Sequence, residues 1–182
     1  MDDNDLGGTL LAIILLLLCI FAAWGIKSEL SDKKGTNTVD STKNVTLDIT
    51  DINGNSLLDD LLDFEHKEEK LYFQPGSVYR TEGFQIQNQG VPVKYLISVN
   101  DDHISNKEKF REALDFWLTT DPNDFSSGQK ITSFQEDLKE NEISKTYYVV
   151  VRMKESAGNE FQNKAFEGIG ITVHAVEKIS DL

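Results

Sequence analysis

Cysteine is almost absent from this chain of 182 residues, and its scarcity excludes several kinds of site. The single cysteine, Cys19, lies inside an apolar run near the start of the sequence. The rest of the chain therefore holds no internal disulfide, no thiol nucleophile and no cysteine zinc site. A folded domain after this run must be stabilised by packing alone.

Histidine is nearly as scarce, and the three histidines form no recognisable metal motif. A peptidase zinc site needs about three protein ligands and a general base on rigid elements, and the chain has no His-Glu-x-x-His pattern. His103 follows Asp101 and Asp102, which makes it the best-placed ligand, but such a cluster is more typical of the approach to a helix. His66 is expected to be solvated and His174 to lie exposed on a strand. We therefore predict no catalytic residue, no metal ligand and no cofactor, and hence no enzyme.

Positive charge is also sparse in this sequence. The chain has 18 Lys and Arg against 31 Asp and Glu, a net charge of −13, of which −10 falls on residues 27–182. A domain this acidic repels phosphate backbones and anionic lipid, which argues against nucleic acid as a partner. Solubility is the simplest role of the extra carboxylates, and binding of cations at the surface is the alternative.

Long apolar runs are missing except for one. Residues 9–26, TLLAIILLLLCIFAAWGI, contain no charge and are just long enough for a helix that crosses a bilayer. The same run also fits a secretory signal, since 10–21 matches an apolar core and Ala23 and Gly25 are small residues of the kind a signal peptidase reads. We predict a transmembrane anchor or a signal segment, and both bring the chain to a membrane.

The flanks of the apolar run differ from those of an ordinary signal. The short acidic tail 1–8 has no Lys or Arg, whereas lysines follow the run, and charge bias alone would place the C-terminal side in the cytoplasm. Cys19 could carry a lipid if the chain were a lipoprotein. Leu18 argues against this interpretation, because lipoprotein processing requires a small side chain directly before the cysteine. Residues 27–43 are polar and have no apolar period, which predicts a solvated linker.

The body of the chain begins with a strand pattern. Residues 44–50 alternate apolar and polar side chains, as a strand with one buried face does. Asp51 and Asn53 then resemble the start of a calcium loop, but Ser56 stands where such a loop needs glycine and Leu62 where it needs an acid. An Asn-Gly turn is the better interpretation.

Three further elements follow before the end of the chain. Leucines at helical spacing predict a short helix at 56–64. Residues 79–88 and 91–99 are predicted to form an antiparallel hairpin. A capping box at Ser105 and apolar spacing predict a helix that ends at Thr119.

The last third of the chain has the strongest strand signals. Thr146 to Met153 is rich in β-branched and aromatic residues, which is typical of a strand buried on both faces, and 166–176 alternates clearly. These two strands are predicted to pair at the centre of the sheets. The predicted fold is mainly β: a jelly-roll or Ig-like antiparallel β-sandwich over 44–178 with one inserted helix, preceded by the N-terminal hydrophobic helix.

Three motifs in this region resemble the TasA and camelysin family. They are the Phe-x-Pro-Gly turn before Tyr79, the stretch GFQIQNQGVPVKYLISVN, and MKESAGNEFQ with the later strand that ends at Val176. The family consists of exported proteins of Gram-positive bacteria, so the resemblance implies a jelly-roll sandwich outside the cell. TasA-like members build matrix fibres in which an N-terminal strand of one subunit completes the sheet of the next.

The resemblance implies a structural protein of the cell surface or biofilm matrix, held on the extracellular face of the membrane or secreted. Its partners would be other copies of itself or other surface proteins, with the membrane contacted through 9–26. As an early strand behind a linker, 44–50 is the candidate for exchange, since it could pair with an open edge of a neighbouring copy or, as an ordinary edge strand, with its own sheet. A camelysin-like surface metalloendopeptidase and a monomeric envelope-binding module are the two alternatives.

Overall fold

A computed structural model describes residues 35–64, 71–72, 74–100, 111–124, 128–158, 165–166 and 168–178. These residues belong to one compact unit that begins at Gly35. Within them, no helix is both long enough and apolar enough to cross a bilayer. The acidic tail 1–8 and the apolar run 9–26 lie outside the described residues, so the anchor or signal stays a prediction.

The described part of the chain is mainly β, with twelve strands, a 3₁₀ turn at Ile131–Ser133 and a helical turn at 111–113. The strands are β1 (Thr38–Ser41), β2 (Leu47–Asp51), β3 (Leu71–Tyr72), β4 (Val78–Arg80), β5 (Phe84–Asn88), β6 (Val93–Asn100), β7 (Leu114–Thr119), β8 (Gln129–Lys130), β9 (Glu136–Leu138), β10 (Tyr148–Met153), β11 (Ala165–Phe166) and β12 (Gly170–Glu177).

Two four-stranded sheets contain most of these strands. Their strand orders are β1-β12-β6-β9 and β4-β10-β7-β8, and the pairs β2-β5 and β3-β11 are separate. Only the β1–β12 pair is parallel among the described pairs. The prediction that β10 and β12 pair with each other is wrong, because each is an interior strand of a different four-stranded sheet.

The strands of both large sheets and of β2–β5 contribute to a single apolar core. The apolar alternation predicted from the sequence is confirmed in two strands, where every apolar residue of the alternating series is buried. The buried set comprises Val45, Leu47 and Ile49 around β2, and Ile169, Ile171, Val173 and Ala175 along β12. Burial of these apolar side chains is the main stabilising contribution in a chain without internal disulfides.

The predicted helix at 56–64 is wrong, because this segment is an extended loop with a turn. Asp59 has a φ of 68°, which a helix does not allow. The backbone N–H of Leu62 donates to the carbonyl of Ile169 at 2.6 Å, and Leu62 is buried while Leu58 is largely exposed. The leucines therefore anchor a loop to the start of β12 and do not form one helical face.

The predicted helix over 105–119 is wrong for its second half. Residues 101–110 lie outside the described residues, and a helical turn at 111–113 leads directly into β7. All six residues of β7 pair with β10. The aromatic and β-branched content of 116–119 suits a strand, and pairing with the buried β10 prevails over the helical spacing.

The predicted hairpin of 79–88 and 91–99 is also wrong. The first segment is divided into β4 and β5, and β5 pairs with β2, whereas β6 belongs to a four-stranded sheet. The side chain of Asn88 fixes the turn between β5 and β6: its Nδ2 donates to the carbonyls of Val91 and Lys139, both at 2.9 Å, and its Oδ1 accepts from the backbone of Gly90. Consecutive strands thus change sheets at this turn.

The folded unit begins earlier than the sequence predicts. Residues 27–43 are expected to be a linker, yet 35–37 are buried and β1 follows them. The start of the unit therefore moves from Asn44 to Gly35. Three polar side chains of the expected linker, Asn37, Thr38 and Asp40, contact groups of the body.

Candidate functional site: the edge strand and its seat

β1 forms one edge of its four-stranded sheet and pairs with β12 only through four residues. The partners are Thr38 with Thr172, Val39 with Val173, Asp40 with His174 and Ser41 with Ala175. The hydroxyls of Thr38 and Thr172 lie 3.1 Å apart. β1 thus combines main-chain pairing with a polar side-chain contact to β12. Such a strand does not show the alternation of apolar and polar residues by which strands are recognised in a sequence.

Asn37, directly before β1, is fully buried and uses both ends of its side chain. Its Oδ1 accepts from the backbone N–H of Ile171 at 3.0 Å, and its Nδ2 donates to the carbonyl of Leu57 at 3.0 Å. Its backbone N–H donates to the carbonyl of Asp60 at 2.7 Å, and its carbonyl accepts from the N–H of Asp59 at 3.0 Å. A buried amide satisfied in this way fixes both position and orientation of the chain.

The chain before Asn37 passes very close to the start of β12. A Cβ on Gly170 would lie 2.0 Å from the carbonyl oxygen of Gly35 and 2.6 Å from the carbonyl carbon of Thr36. Gly35 itself has a φ of 90°, in the region that favours glycine. The Nδ2 of Asn100 donates to the carbonyl of Thr36 at 2.9 Å. We call the groups of the body that contact residues 35–41 the seat of β1. They lie on β12, on β6 and in the loop 57–60.

Three polar side chains join β1, β12 and β6 on the face opposite the core. The Nε2 of His174 lies 3.0 Å from Ser98 Oγ, and its Nδ1 lies 3.2 Å from Asp40 Oδ2. The sequence predicts an exposed His174, and the structure shows a side chain 40% exposed with hydrogen-bond partners on both neighbouring strands. Serine, histidine and carboxylate stand in the order of a hydrolase triad. Because Asp40 is 76% exposed and all three project from a sheet face, their direct effect is to tie the edge strand to the sheet.

The other residues considered from the sequence either lie outside the described residues or serve local structure. His66 and His103 lie outside the described residues. Across the described ranges, no group of three or more His, Cys, Asp and Glu side chains is placed to hold a metal ion. The Oδ1 of Asp51 accepts from the backbone N–H groups of Asn53 and Asn55, both at 2.8 Å, so the predicted turn is confirmed.

The carboxylate of Asp51 is engaged by its own turn. Two hydrogen bonds from Asn55 hold the pKa of Asp51 below its usual value, and the bond from the side chain has a larger effect than the bond from the backbone. Gly54, with a φ of 85°, allows the chain to reverse. The loop thus uses its oxygen atoms for local structure.

A pair of buried tyrosines lies beneath the same sheet. The hydroxyls of Tyr95 and Tyr147 are 2.9 Å apart, and Tyr147 also donates to Glu136 Oε2 at 2.6 Å. Burial raises the pKa of Tyr95 to about 12. Burial, together with the hydrogen bond to Glu136, raises the pKa of Tyr147 above its usual value. These groups link β6, β9 and the chain before β10, and so stiffen the sheet that carries β1.

A cavity of about 440 Å³ lies beside β6. Its lining comes from β6, from the start of β7 and from the region of the 3₁₀ turn: Ser98, Val99, Arg111, Leu114, Asp115, Phe116, Lys130, Ile131 and Thr132. Its walls are largely apolar, and its volume falls in the range of small-ligand pockets. Arg111, Asp115 and Lys130 in the lining carry charges of both signs, and Asp115 Oδ1 lies 3.9 Å from Lys154 Nζ.

Sequence reasoning missed the seat of β1, because residues 35–41 read as linker. The one signal present is a β-branched stretch, in which Thr36, Thr38 and Val39 surround Asn37. Its partners are up to 134 positions away, and no local pattern identifies them. No protein-family model matches the chain, and a search of curated proteins also finds no match.

Proposed function

We propose that this chain is an exported structural protein of the cell surface or extracellular matrix that assembles by exchange of β1 between copies. The observation that carries the proposal is how β1 is held. It is a four-residue edge strand at the start of the folded unit, and the buried side chain of Asn37 before it is hydrogen-bonded at both ends to the seat. The resemblance of three sequence motifs to the TasA and camelysin family supports the same proposal.

The proposed architecture is a jelly-roll sandwich formed by the two four-stranded sheets. Their shared core supports this arrangement, since buried residues of β6 and β12 in one sheet and of β7 and β10 in the other belong to a single cluster. A sandwich leaves edge strands, and an edge strand offers unpaired main-chain groups to another copy.

Exchange of β1 is physically simple because its main-chain bonds are the same within one copy or between two. Residues 42–44, in the connection from β1 to β2, are exposed and can extend as a hinge. β2, the strand expected from the sequence to be exchanged, is less suitable because Leu47 and Ile49 are part of the core. We therefore assign the exchange to β1.

The leader supports a location at or beyond the membrane. An apolar run at 9–26 either anchors the chain or directs its export. A body without cysteine suits such a location, since it needs no oxidative folding. Fractionation of cells that express the full chain tests this part: protein found in the cytosol contradicts the proposal.

Disulfide trapping tests the exchange. In a Cys19→Ser background, the pair Thr38→Cys and Thr172→Cys places thiols on β1 and β12 at positions whose hydroxyls are 3.1 Å apart. If assembly exchanges β1, oxidation after assembly gives covalent ladders on non-reducing gels. Oxidation before assembly locks β1 in its own copy and prevents growth.

The matched control is the pair Ser98→Cys and Thr172→Cys, which are partners on β6 and β12 within one body. This pair should give only intramolecular disulfides under both regimes. Assemblies without covalent ladders in the first pair contradict exchange through β1, and a chain that stays monomeric at high concentration contradicts the structural function.

A further inference from the structure

We infer that the seat of β1 is a sequence-specific acceptor that selects residues 35–41 of this chain through the side chain of Asn37. The inference rests on the proposed function and names what a second copy must present to dock there. The recognised ligand is thus a peptide with the sequence Gly-Thr-Asn-Thr-Val-Asp-Ser, supplied by the same copy or by another.

The seat presents one donor and one acceptor to the side chain at position 37. The donor is the backbone N–H of Ile171, and the acceptor is the carbonyl of Leu57, each 3.0 Å from its partner atom in Asn37. Both belong to the backbone, so they cannot rotate away when the side chain changes. Asparagine carries a carbonyl oxygen and an NH₂ on one short side chain, and thus matches both groups at once.

Other residues at this position match the seat less well. Aspartate keeps the bond to Ile171 but places a second oxygen against the carbonyl of Leu57. Alanine leaves the N–H of Ile171 without its acceptor in a site where Asn37 is fully buried, while the carbonyl of Leu57 keeps only the bond from the N–H of Asp60 at 3.1 Å. Unpaired buried polar groups of this kind lower an association constant by about tenfold to a hundredfold. Glutamine is longer by one methylene and must displace the backbone it binds.

The backbone around Asn37 adds a second level of selection. The chain crosses Gly170 so closely that a Cβ there would overlap the carbonyl of Gly35, so the seat accepts the ligand only if residue 170 is glycine. The ligand needs glycine at its own first position, because Gly35 has a φ of 90°. Asn100 and the N–H of Asp59 then fix the carbonyls of Thr36 and Asn37.

The groups that form this recognition site lie in the body, well separated in sequence from their ligand. Leu57 is 20 residues from Asn37, Asn100 is 64 residues from Thr36, and Ile171 is 134 residues from Asn37. Each belongs to the loop before Leu62, to β6 or to β12. A segment 35–41 from another copy therefore meets the same complete set of contacts.

Peptide binding to the full chain in detergent tests the inference. The Asn37→Asp chain weakens its own docked segment, which opens the seat to a fluorescent peptide of residues 35–41. We expect this peptide to bind at least about tenfold more tightly than the same peptide with aspartate at the asparagine position. A peptide with asparagine in place of Asp40 is the matched control, and its affinity should change by less than about fivefold because Asp40 is mostly exposed.

Hydrogen exchange at the Ile171 amide reports the seat directly, since this N–H donates to Asn37. Faster exchange in the Asn37→Asp chain, restored by the asparagine peptide and not by the aspartate peptide, supports the inference. Equal affinity of the two peptides, no binding of either peptide to an opened seat, or unchanged exchange at Ile171 overturns it. If Asn37→Asp does not fold, Thr38→Pro is used instead. It opens the seat by disrupting β1 and keeps asparagine as residue 37, and the same peptides are compared.

The two proposals fail in different ways. If the seat selects the asparagine peptide but the full chain does not assemble, the inference about the seat holds and the proposed function by strand exchange is wrong. If wild-type and Asn37→Asp chains assemble equally well, and the Thr38–Thr172 cysteine pair gives ladders, the proposed function holds and Asn37 does not determine which segment binds.

Discussion

β1 and β2 follow each other in the chain, and they are held by different physical means. In β2 the apolar side chains point inward, and Leu47 and Ile49 are 7% and 0% exposed. β1 has two partly buried and two exposed residues, and its docking depends on hydrogen bonds at Thr38 and at the preceding Asn37. One strand is thus part of the hydrophobic core, and the other is bound to the outside of a finished sheet.

This difference separates stability from docking. Removing apolar surface from β2 affects the whole body because its core is shared by both large sheets. Removing a contact from β1 affects an edge whose departure exposes main-chain groups of β12 but leaves β12 paired with β6 along eight residues. A strand of the second kind can be supplied by another copy, and a strand of the first kind cannot.

The largest expected effect is a core truncation in β2. Ile49→Ala should lower the free energy of unfolding of the whole body by about 2–5 kcal/mol, because a fully buried side chain is replaced by a cavity. Urea unfolding followed by tryptophan fluorescence measures the change. The control Ile52→Ala, at a position 63% exposed, should change stability by less than about 0.5 kcal/mol. Equal effects at the two positions would show that β2 is not a core strand.

The second effect is smaller and confined to the edge. Gly170→Ala places a methyl group where the carbonyl of Gly35 stands, and overpacking of this kind costs about 1–3 kcal/mol. The body can avoid this cost by releasing 35–41, so the loss is limited by the docking energy of that segment. Hydrogen exchange should accelerate at β1 and at Ile171 while β10 stays protected. Equal acceleration in β10 would mean that β1 and the core unfold together.

The same contrast explains how much of the fold the sequence predicts. Alternation identifies β2, β6 and β12, and a β-branched run identifies β10, because burial of side chains sets these patterns along the strand itself. The β-rich composition likewise predicts a mainly β chain. Pairing is not encoded locally, which is why β10 and β12 are assigned to one sheet although they occupy two.

Two helices are predicted over segments in which 56–64 and 114–119 are not helical, and for a shared reason. Leucines at 57–62 and apolar residues at 114–118 recur at helical spacing, but their backbone pairs with other segments: Leu62 bridges to Ile169, and β7 pairs with β10. Tertiary pairing thus overrides a local period. The seat of β1 is harder still, because an asparagine in a polar segment looks the same whether it is solvated or bound to a backbone amide 134 residues away.

The third prediction concerns the tyrosine pair of the body and its response to alkali. The pKa of Tyr95 is raised to about 12, against about 10 in an unfolded chain, so the folded state favours the neutral phenol. Stability from this group is complete below about pH 10 and is lost as the pH rises towards 12. Tyr147→Phe should cost about 1–2 kcal/mol at neutral pH, because it removes the hydrogen bonds to Glu136 and Tyr95.

Urea unfolding at pH 8, 10 and 11 measures this response. The wild-type chain should lose stability across that range, and the double variant Tyr95→Phe with Tyr147→Phe should lose less of it. Since the pair lies between β6, β9 and residue 147, exchange at β10 should follow global stability in these variants. A double variant as sensitive to alkali as the wild type would place the titrating group elsewhere in the chain.

The smallest expected effect lies on the outer face of β1. Asp40 Oδ2 lies 3.2 Å from the Nδ1 of His174, and the Asp40 side chain is 76% exposed. Asp40→Asn removes the carboxylate from this contact and should weaken docking of β1 by at most about 1 kcal/mol, because a well-exposed polar pair contributes little. Hydrogen exchange should accelerate slightly at β1 and stay unchanged at β10. An Asp40→Asn chain whose β1 exchanges as fast as that of Gly170→Ala would show that docking of the edge strand depends on this side-chain contact.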